Sequence, residues 1–452
     1  MIALSIPAGI KVPNDINPAN FREYRLDYIE ETQYAEFLSN NKPNSKTIIT
    51  IRDKSEGGKS QLSPTDKAIL YNEYITAYNC YVDFEFSLWS PELPAISKSG
   101  LILSYHNFDA FNAELIKTFI IEGSRSECFY LKLAVNVDNY SELTELEKLL
   151  NLSTKPILIA GMGKLGKLVR LIHQHLGAKG TYIGLDDNLL YPSQLSVSEA
   201  KTFHLHKVTP KTAFCGLLGG KQVFHSIGLS YYTSYFRKLG LNAFYLPFFA
   251  DDFTDFWTWL EHFKAKNKFL GVSVTMPFKA DAAKLSKSKE PVNLIYFNRK
   301  TLIHTNTDKL ALNKAFFRLE RFKIDSILIY GSGAMAELAL KAAPVFGKTY
   351  LLSRNKVFED KLCWKFDVDP GEPSRDYDLV INCTPLGFDN TELYAETGIK
   401  PPRMLIDLPY FPNKKSANIS KIEPNQFVDG VQFWQWQAIP QLAIFLNGIK
   451  ED

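Results

Sequence analysis

Residues 326–355 read SILIYGSGAMAELALKAAPVFGKTYLLSRN. An apolar, β-rich run ends in a glycine turn, a helical pattern follows, and a second β-rich run closes the unit. In the G-x-G-x-x-A turn, Gly331 and Gly333 let the backbone approach a pyrophosphate at a helix N-terminus, with Ser332 and Ala334 in the same turn. Such a turn carries little alone; the strand before it and the helix after it supply the context. The second strand ends at Ser353-Arg354, and no Asp or Glu stands there to take a ribose 2′-hydroxyl. Arg354 offers a cation to a 2′-phosphate, so the pattern favours NADP over NAD. The bland alternative for Arg354 is a solvated loop arginine.

The same alternation extends both ways. DLVINCT (378–384) and MLIDLPY (404–410) read as strands, and VQFWQWQAIPQLAIFLNG (431–448) reads as an amphipathic helix despite Pro440. Upstream, AFYLPF (243–248) and FLGVSVTM (269–276) read as strands, with the helix FTDFWTWLEHFKA (253–265) between them. AKTFHLHKVTPKTAF (200–214) has no period and reads as a boundary. His204 and His206 within it lack a third metal ligand. Before it lie IALSI, EYRLDYI, KTIITIR, YVDFEF, GLILSYH, CFYLKLA, PILIAGM and GTYIGL, separated by helical or turn patterns such as SPTDKAILYNEYITAYN and ELTELEKLLNL. Eight strand-like runs of this kind suit an α/β barrel of the (β/α)₈ class. The expected organisation is a TIM barrel over 1–205, an α/β substrate domain over 206–315 with 431–452, and a Rossmann domain over 316–430.

Composition sets bounds. The chain has 452 residues, 45% apolar and 22% charged, with a net charge of +3. That length calls for two or three domains, and so small a net charge argues against nucleic acid or membrane as partner. The five cysteines show no metal-ligand spacing and suit reduced thiols in a cytoplasmic protein. The start, MIALSIPAGIKVP, lacks the pattern of a signal peptide.

The first half concentrates charge on apolar strands. Lys132 sits within FYLKLAV (129–135). A lysine there is costly unless it lines a site, where burial or a nearby cation makes it a nucleophile for imine chemistry; an edge lysine facing solvent is the plain alternative. His106 ends the strand of LILSYHNF (101–108), at the barrel face that carries catalysis, and an imidazole there can move protons beside an imine. EYRLD gives Glu23, Arg25 and Asp27, on one strand face by the two-residue period. TIRDKSEGG gives Arg52 and Glu56, and GMGKLGKLVR gives Arg170. Converging arginines suit an anionic, hydroxylated ligand. A structural ion-pair network is the competing reading for Glu23 and Asp27.

Taken in order, E-x-R-x-D, T-x-R…E-G-G, S-x-H-N-F, the lysine strand, M-G-x-x-G…R and P-x-Q (192–194) resemble the type I 3-dehydroquinate dehydratases over residues 1–200. The resemblance implies that Lys132 forms an imine with the substrate ketone and that His106 moves protons with Glu56 nearby. It also implies that Arg170 and Gln194 hold carboxylate and hydroxyls, and that Glu23, Arg25 and Arg52 complete the pocket. Ser193 stands where that family usually has glycine, and Leu190 where it often has a small hydroxyl residue.

In the second half, GVSVTMPFK (271–279) ends in Lys279 and HTNTD (304–308) in Asp308. Such a pair can shuttle the proton that accompanies hydride transfer to a ketone, although arbitrary Lys–Asp pairs are mostly surface ion pairs. Together with NCTPLG (382–387) and, more loosely, DLPYFP (407–412), these segments resemble the shikimate dehydrogenases from Phe214 onward. The resemblance implies Lys279 and Asp308 as the catalytic pair, with Thr275, Asn293, Asp308 and Gln437 on substrate hydroxyls and Ser226 on the carboxylate. It places the cofactor on 331–336 and Ser353-Arg354. Gly228 and Leu294 depart from the family pattern at binding positions. Gly228 leaves room for an extra hydroxyl, so a quinate-type dehydrogenase is an alternative, as is a degenerate half that only senses a metabolite. The expected ligands are 3-dehydroquinate, 3-dehydroshikimate, shikimate and NADP.

Overall fold

The computed structural model describes residues 1–452 except 12–13, 188, 299–300, 388–390, 411–415 and 451–452. The last two residues of DLPYFP therefore lie outside the described residues. The chain divides into two compact units, Met1–Gly216 with Gly220–Phe269, and Leu217–Gly219 with Leu270–Asp452. The boundary expected at 205/206 falls inside the first unit.

All eight strand-like runs of the first unit form strands: β1 (Ile2–Pro7), β2 (Phe21–Arg25), β3 (Thr47–Thr50), β4 (Tyr81–Glu85), β5 (Leu101–Asn107), β6 (Tyr130–Asn136), β7 (Ile157–Met162) and β8 (Gly180–Gly184). They pair in chain order, all parallel, and β8 returns to β1 to close a barrel. A short β9 (Leu195–Ser196) adds to β8.

Period-2 alternation sorts the interior into layers. Ala3, Ile48, Ile102, Leu158 and Tyr182 form an apolar layer within the barrel. Two residues further along the same faces stand Ser5, Glu23, Thr50, Asp83, Ser104 and Lys132, all buried. EYRLD departs from the expected register: β2 ends at Arg25, and Asp27 lies in a 3-10 turn, Leu26–Tyr28. Asp27 therefore does not continue the inward face. It accepts two hydrogen bonds from Arg25, each 2.9 Å.

Beyond the barrel the chain runs through β10 (Ala213–Gly219), whose last three residues are assigned to the second unit, and β11 (Ala243–Phe249) to the helix Phe253–Lys264. This helix packs on the barrel helix Tyr140–Leu150. Tyr140 is fully buried there, beside Phe256 and Trp259, and its hydroxyl donates to the Phe249 carbonyl at 2.9 Å.

In the second unit β12 (Phe269–Val274), β13 (Leu294–Asn298) and β14 (Thr301–Thr305) run antiparallel in sequence order. Six strands then build a parallel sheet: β15 (Ser326–Tyr330), β16 (Lys348–Leu352), β17 (Asp369–Pro370), β18 (Leu379–Asn382), β19 (Met404–Asp407) and β20 (Phe427–Val428). Their order is β17-β16-β15-β18-β19-β20. Ile327 and Ile329 join one apolar cluster, Leu328 and Tyr330 another, so β15 is covered on both faces, as a parallel sheet requires. The order reverses direction at β15, the switch point where such sheets bind ligands beyond their carboxyl ends. The glycine turn 331–333 follows β15 directly.

Candidate active sites

Eight of the residues singled out in the first half converge on one cavity of about 110 Å³: Glu23, Arg25, Arg52, Glu56, His106, Lys132, Arg170 and Gln194. Asp27 is not among its walls. Lys132, 5% exposed, donates to Glu23 at 3.0 Å and to Asp83 at 2.7 Å. Its ammonium also lies 4.2 Å from the centre of the Tyr182 ring. Asp83 passes the charge on: its other oxygen takes Arg52 Nη2 at 2.6 Å. Arg52 Nη1 meets Glu85 at 3.1 Å, and Glu85 takes Lys67 at 2.7 Å. The result is a buried chain of alternating sign, Glu23–Lys132–Asp83–Arg52–Glu85–Lys67. The adjacent cations hold the Asp83 carboxyl far below its ordinary range, against the opposing effect of burial.

His106 Nδ1 and Glu56 Oε2 are 2.8 Å apart, and Ser87 donates to the other Glu56 oxygen at 2.5 Å. Burial pushes Glu56 up to about 7. Burial first, then the cations Arg52 and Lys132, push His106 well below its ordinary value. The imidazole is therefore neutral near pH 7 and free to take a proton. The loop carrying Glu56 turns back on itself at Gly58, where a Cβ would stand 2.0 Å from the Arg52 carbonyl oxygen. Only glycine fits this return.

Arg170 is buried with hydrogen bonds only to two carbonyls, Gly161 at 3.0 Å and Tyr182 at 2.6 Å. Burial lowers it to about 10. This guanidinium forms no ion pair among the described residues and lines the cavity, where Glu23 is the carboxylate whose charge acts on it. Gln194 is buried, and its Oε1 accepts from the Leu190 amide at 3.1 Å.

In the second unit Lys279 Nζ and Asp308 Oδ2 are 2.5 Å apart, both largely buried. Asn306 caps the helix Thr307–Leu319 and fixes Asp308 in its first turn. Thr307 links the neighbouring polar groups: Asn293 Nδ2 donates to its hydroxyl at 3.0 Å, Gln441 Nε2 at 2.9 Å, and the hydroxyl donates to Gln437 at 3.2 Å. Thr275 is tied by its amide to the Leu218 carbonyl at 2.9 Å. Ser226 belongs to the first unit, where its hydroxyl accepts the Gly228 amide at 3.1 Å and closes the start of the helix Gly228–Lys238.

The glycine turn is brought to the lysine–aspartate pair. Met335, in the first turn of the helix Ala334–Ala342, has its sulfur 4.0 Å from Lys279 Nζ. Gly331 has φ +126°, which favours glycine, and a Cβ on Gly333 would meet nothing within 4 Å. An open approach to a helix N-terminus fits a dinucleotide pyrophosphate. Ser353 is buried and Arg354 exposed, directly after β16. The N-C-T-P-L-G segment is a tied loop: Asn382 Nδ2 donates to the Leu386 carbonyl and to Asp407, each at 2.7 Å.

Sequence reasoning missed Asp83, Glu85 and Lys67 in the barrel, and Thr307, Met335 and Gln441 in the second unit. The run YVDFEF did carry the signal for two of them, since Asp83 and Glu85 stand two residues apart on one strand face. Among the described residues no group of His, Cys, Asp and Glu could hold a metal, and no helix is long and apolar enough to cross a membrane.

A closed parallel barrel whose cavity holds a buried, ion-paired lysine and an imidazole, followed by a parallel dinucleotide-type sheet, is a lyase fold joined to an oxidoreductase fold. Comparison with known proteins gives both parts a family. Residues 15–206 match type I 3-dehydroquinase, and residues 218–292 match the shikimate dehydrogenase substrate binding domain. The chain thus carries a type I 3-dehydroquinase domain and a shikimate dehydrogenase substrate-binding domain. It is 27% identical over 198 residues to the 3-dehydroquinate dehydratase of Lactococcus lactis, covering 42% of this chain and 86% of that one. Among solved structures it is similar to the dehydroquinate dehydratase and shikimate dehydrogenase of S. pombe AroM, with 19% identity, TM-score 0.39 and coverage of 95% and 93% of the two chains. It is also similar to shikimate dehydrogenase from Aquifex aeolicus, with 24% identity, TM-score 0.44 and coverage of 54% and 100%.

Proposed function

We propose that the chain dehydrates 3-dehydroquinate to 3-dehydroshikimate in its barrel and reduces that product to shikimate with NADPH in its second half. The observation that carries this reading is Lys132, buried in an alternating charge chain on the wall of a cavity that also holds His106 and Arg170.

In the first reaction Lys132 gives up an ammonium proton and its Nζ adds to the substrate ketone; the ketone oxygen leaves as water with two of the ammonium protons, and a protonated imine forms. His106, neutral and steadied by Glu56, takes a proton from the carbon next to the imine. The electron pair moves toward the nitrogen and then expels the hydroxyl at the neighbouring carbon, which leaves as water with the proton returned by His106. Water then hydrolyses the imine, freeing Lys132 and the enone. Arg170 supplies the counter-charge for the substrate carboxylate, with Gln194, Arg25 and Arg52 around the hydroxyls.

In the second reaction the bound dinucleotide supplies the hydride. Lys279, held on Asp308, delivers a proton to the ketone oxygen as it becomes a hydroxyl. Asn293 and Gln437, linked through Thr307, take the ring hydroxyls together with Thr275. Gly331, Ser332, Gly333 and Ala334 would hold the pyrophosphate, with Ser353 and Arg354 at the 2′-phosphate. The functional domains would be 1–205, 206–315 with 431–452, and 316–430, in a cytoplasmic enzyme whose partners are these small molecules. The test is borohydride added with 3-dehydroquinate. A stable adduct on Lys132, found by peptide mass spectrometry, is expected; an adduct elsewhere or none at all overturns the imine step.

A further inference from the structure

The helix Pro64–Tyr78 lies outside the barrel wall, and positions 67, 71 and 75 form its inward face, all buried. Tyr71 and Ile75 suit that face. Lys67, with 0% exposure, does not, unless its charge is used. Its ammonium reaches Glu85 Oε2 at 2.7 Å and lies 5.4 Å from the centre of the Phe84 ring. One turn on, the Tyr71 hydroxyl accepts the Ile51 amide at 2.7 Å and donates to the Asp83 carbonyl at 2.9 Å. This helix face is therefore keyed into the ends of β3 and β4, where Arg52 and Asp83 stand.

Glu85 has two tasks on its other oxygen. It takes Arg52 Nη1 at 3.1 Å and the Asp53 amide at 2.9 Å. The first sets the guanidinium that bridges to Asp83, and the second anchors the turn that presents Glu56. A Glu85 with no lysine behind it would be a buried carboxylate sharing one guanidinium with Asp83. Arg52 would be drawn off Asp83 toward Glu85, and Asp83 is the carboxylate on which Lys132 rests. With Lys67 in place the six groups of the chain alternate and sum to zero charge, and Arg52 is balanced between its two carboxylates.

We propose that Lys67 is a positioning residue for the dehydratase reaction, acting through Glu85 and Arg52 on the Asp83–Lys132 pair without touching substrate. The inference rests on the barrel being the dehydratase. An unmodified protein without dehydratase activity would refute that reading, whereas the comparison among variants tests Lys67. The experiment measures dehydratase kcat and KM for the full chain, for Lys67→Met, and for Lys67→Met with Glu85→Gln. The amide introduced by Glu85→Gln keeps an oxygen for the Asp53 amide and Arg52 but removes the excess negative charge. Lys67→Met alone should lower kcat about 10–100-fold with KM within about threefold, the scale of a small displacement of reacting groups. The double variant should recover to within about threefold of the unmodified kcat, because charge balance returns; a lysine that only filled space would give no such recovery. Thermal melts and the second half's reduction of 3-dehydroshikimate report whether each variant is folded. Unchanged kcat in folded Lys67→Met overturns the proposal, as does a folded double variant no faster than the single one. If Lys67→Met alone does not fold, the double variant decides: near-native kcat supports the role, and loss beyond about 30-fold overturns it.

Discussion

Replacing Arg170 by Met removes a charge that the fold holds at a loss. Burial lowers this guanidinium to about 10, and at about 1.4 kcal/mol per pH unit that is about 3 kcal/mol of unrecovered solvation. Met fills most of the same volume without charge. Two carbonyls, Gly161 and Tyr182, lose their donors, at about 1 kcal/mol each. The gain and the loss nearly cancel, so Arg170→Met should melt within a few degrees of the unmodified chain, or slightly higher. Binding should suffer far more. A guanidinium with no ion-pair partner among the described residues gains most from an anionic ligand, and two charge-assisted bonds of ~1.5 kcal/mol or more give about 10²-fold in KM. Initial dehydration rates, followed by enone absorbance over a range of 3-dehydroquinate concentrations, measure this beside a thermal melt. A folded Arg170→Met with KM and kcat within about twofold of native would refute the reasoning, since the buried charge would then serve no ligand.

Other outcomes follow from the same structure. Glu56 is held protonated up to about 7, so it stabilises the fold fully below its unfolded value of 4.5 and loses that contribution as pH rises toward 7. His106, depressed, acts oppositely: its contribution is present above 6.5 and is lost as pH falls. In Glu56→Gln only the histidine remains, so stability in urea should climb from pH 5 to 6.5 more steeply than in the unmodified chain; an identical slope contradicts the assignment. Arg354→Ala should raise the KM for NADPH about 10–100-fold and leave that for NADH nearly unchanged, measured by steady-state rates; equal effects on both would remove Arg354 from the 2′-phosphate. A fragment ending at 205 exposes Tyr140, whereas one ending at 269 keeps its cover of Phe256 and Trp259. The longer fragment should melt higher by circular dichroism, and equal melting would mean that this packing adds nothing.

The barrel was readable because eight compact β-rich runs alternate with helical or turn patterns, and on β2, β4 and β6 a charged side chain (Glu23, Asp83, Lys132) stands two residues from an apolar one on the inward face. Lys132 stood out because a charge inside such a run is costly, His106 because it ends a strand, and Arg52 and Arg170 as parts of charged clusters that the dehydratase resemblance puts in the pocket. Asp83 and Glu85 carry the same signal in YVDFEF, but carboxylates on a strand can equally face solvent at an edge. Asp27 misled because the two-residue period was extended beyond the strand, which ends at Arg25. Lys67 was readable only as a break in the face 67/71/75, and what it reaches is 18 residues away in sequence. Met335 beside Lys279 is a purely tertiary contact, for which no local pattern exists. In the second half the glycine turn, Lys279 and Asp308 were legible, but the hub at Thr307 was not. A threonine before the aspartate reads as an ordinary helix start, and its partners Gln437 and Gln441 come from the far end of the chain.

The most direct test of the account gives the purified full chain 3-dehydroquinate and NADPH together. Enone absorbance should rise and then be drawn down as NADPH is consumed. In Lys132→Ala both signals should vanish with 3-dehydroquinate, while NADPH consumption persists when 3-dehydroshikimate is supplied. Lys279→Ala should accumulate the enone without consuming NADPH. Dehydration that survives in Lys132→Ala, or an unmodified chain that forms the enone and leaves NADPH untouched, would contradict it.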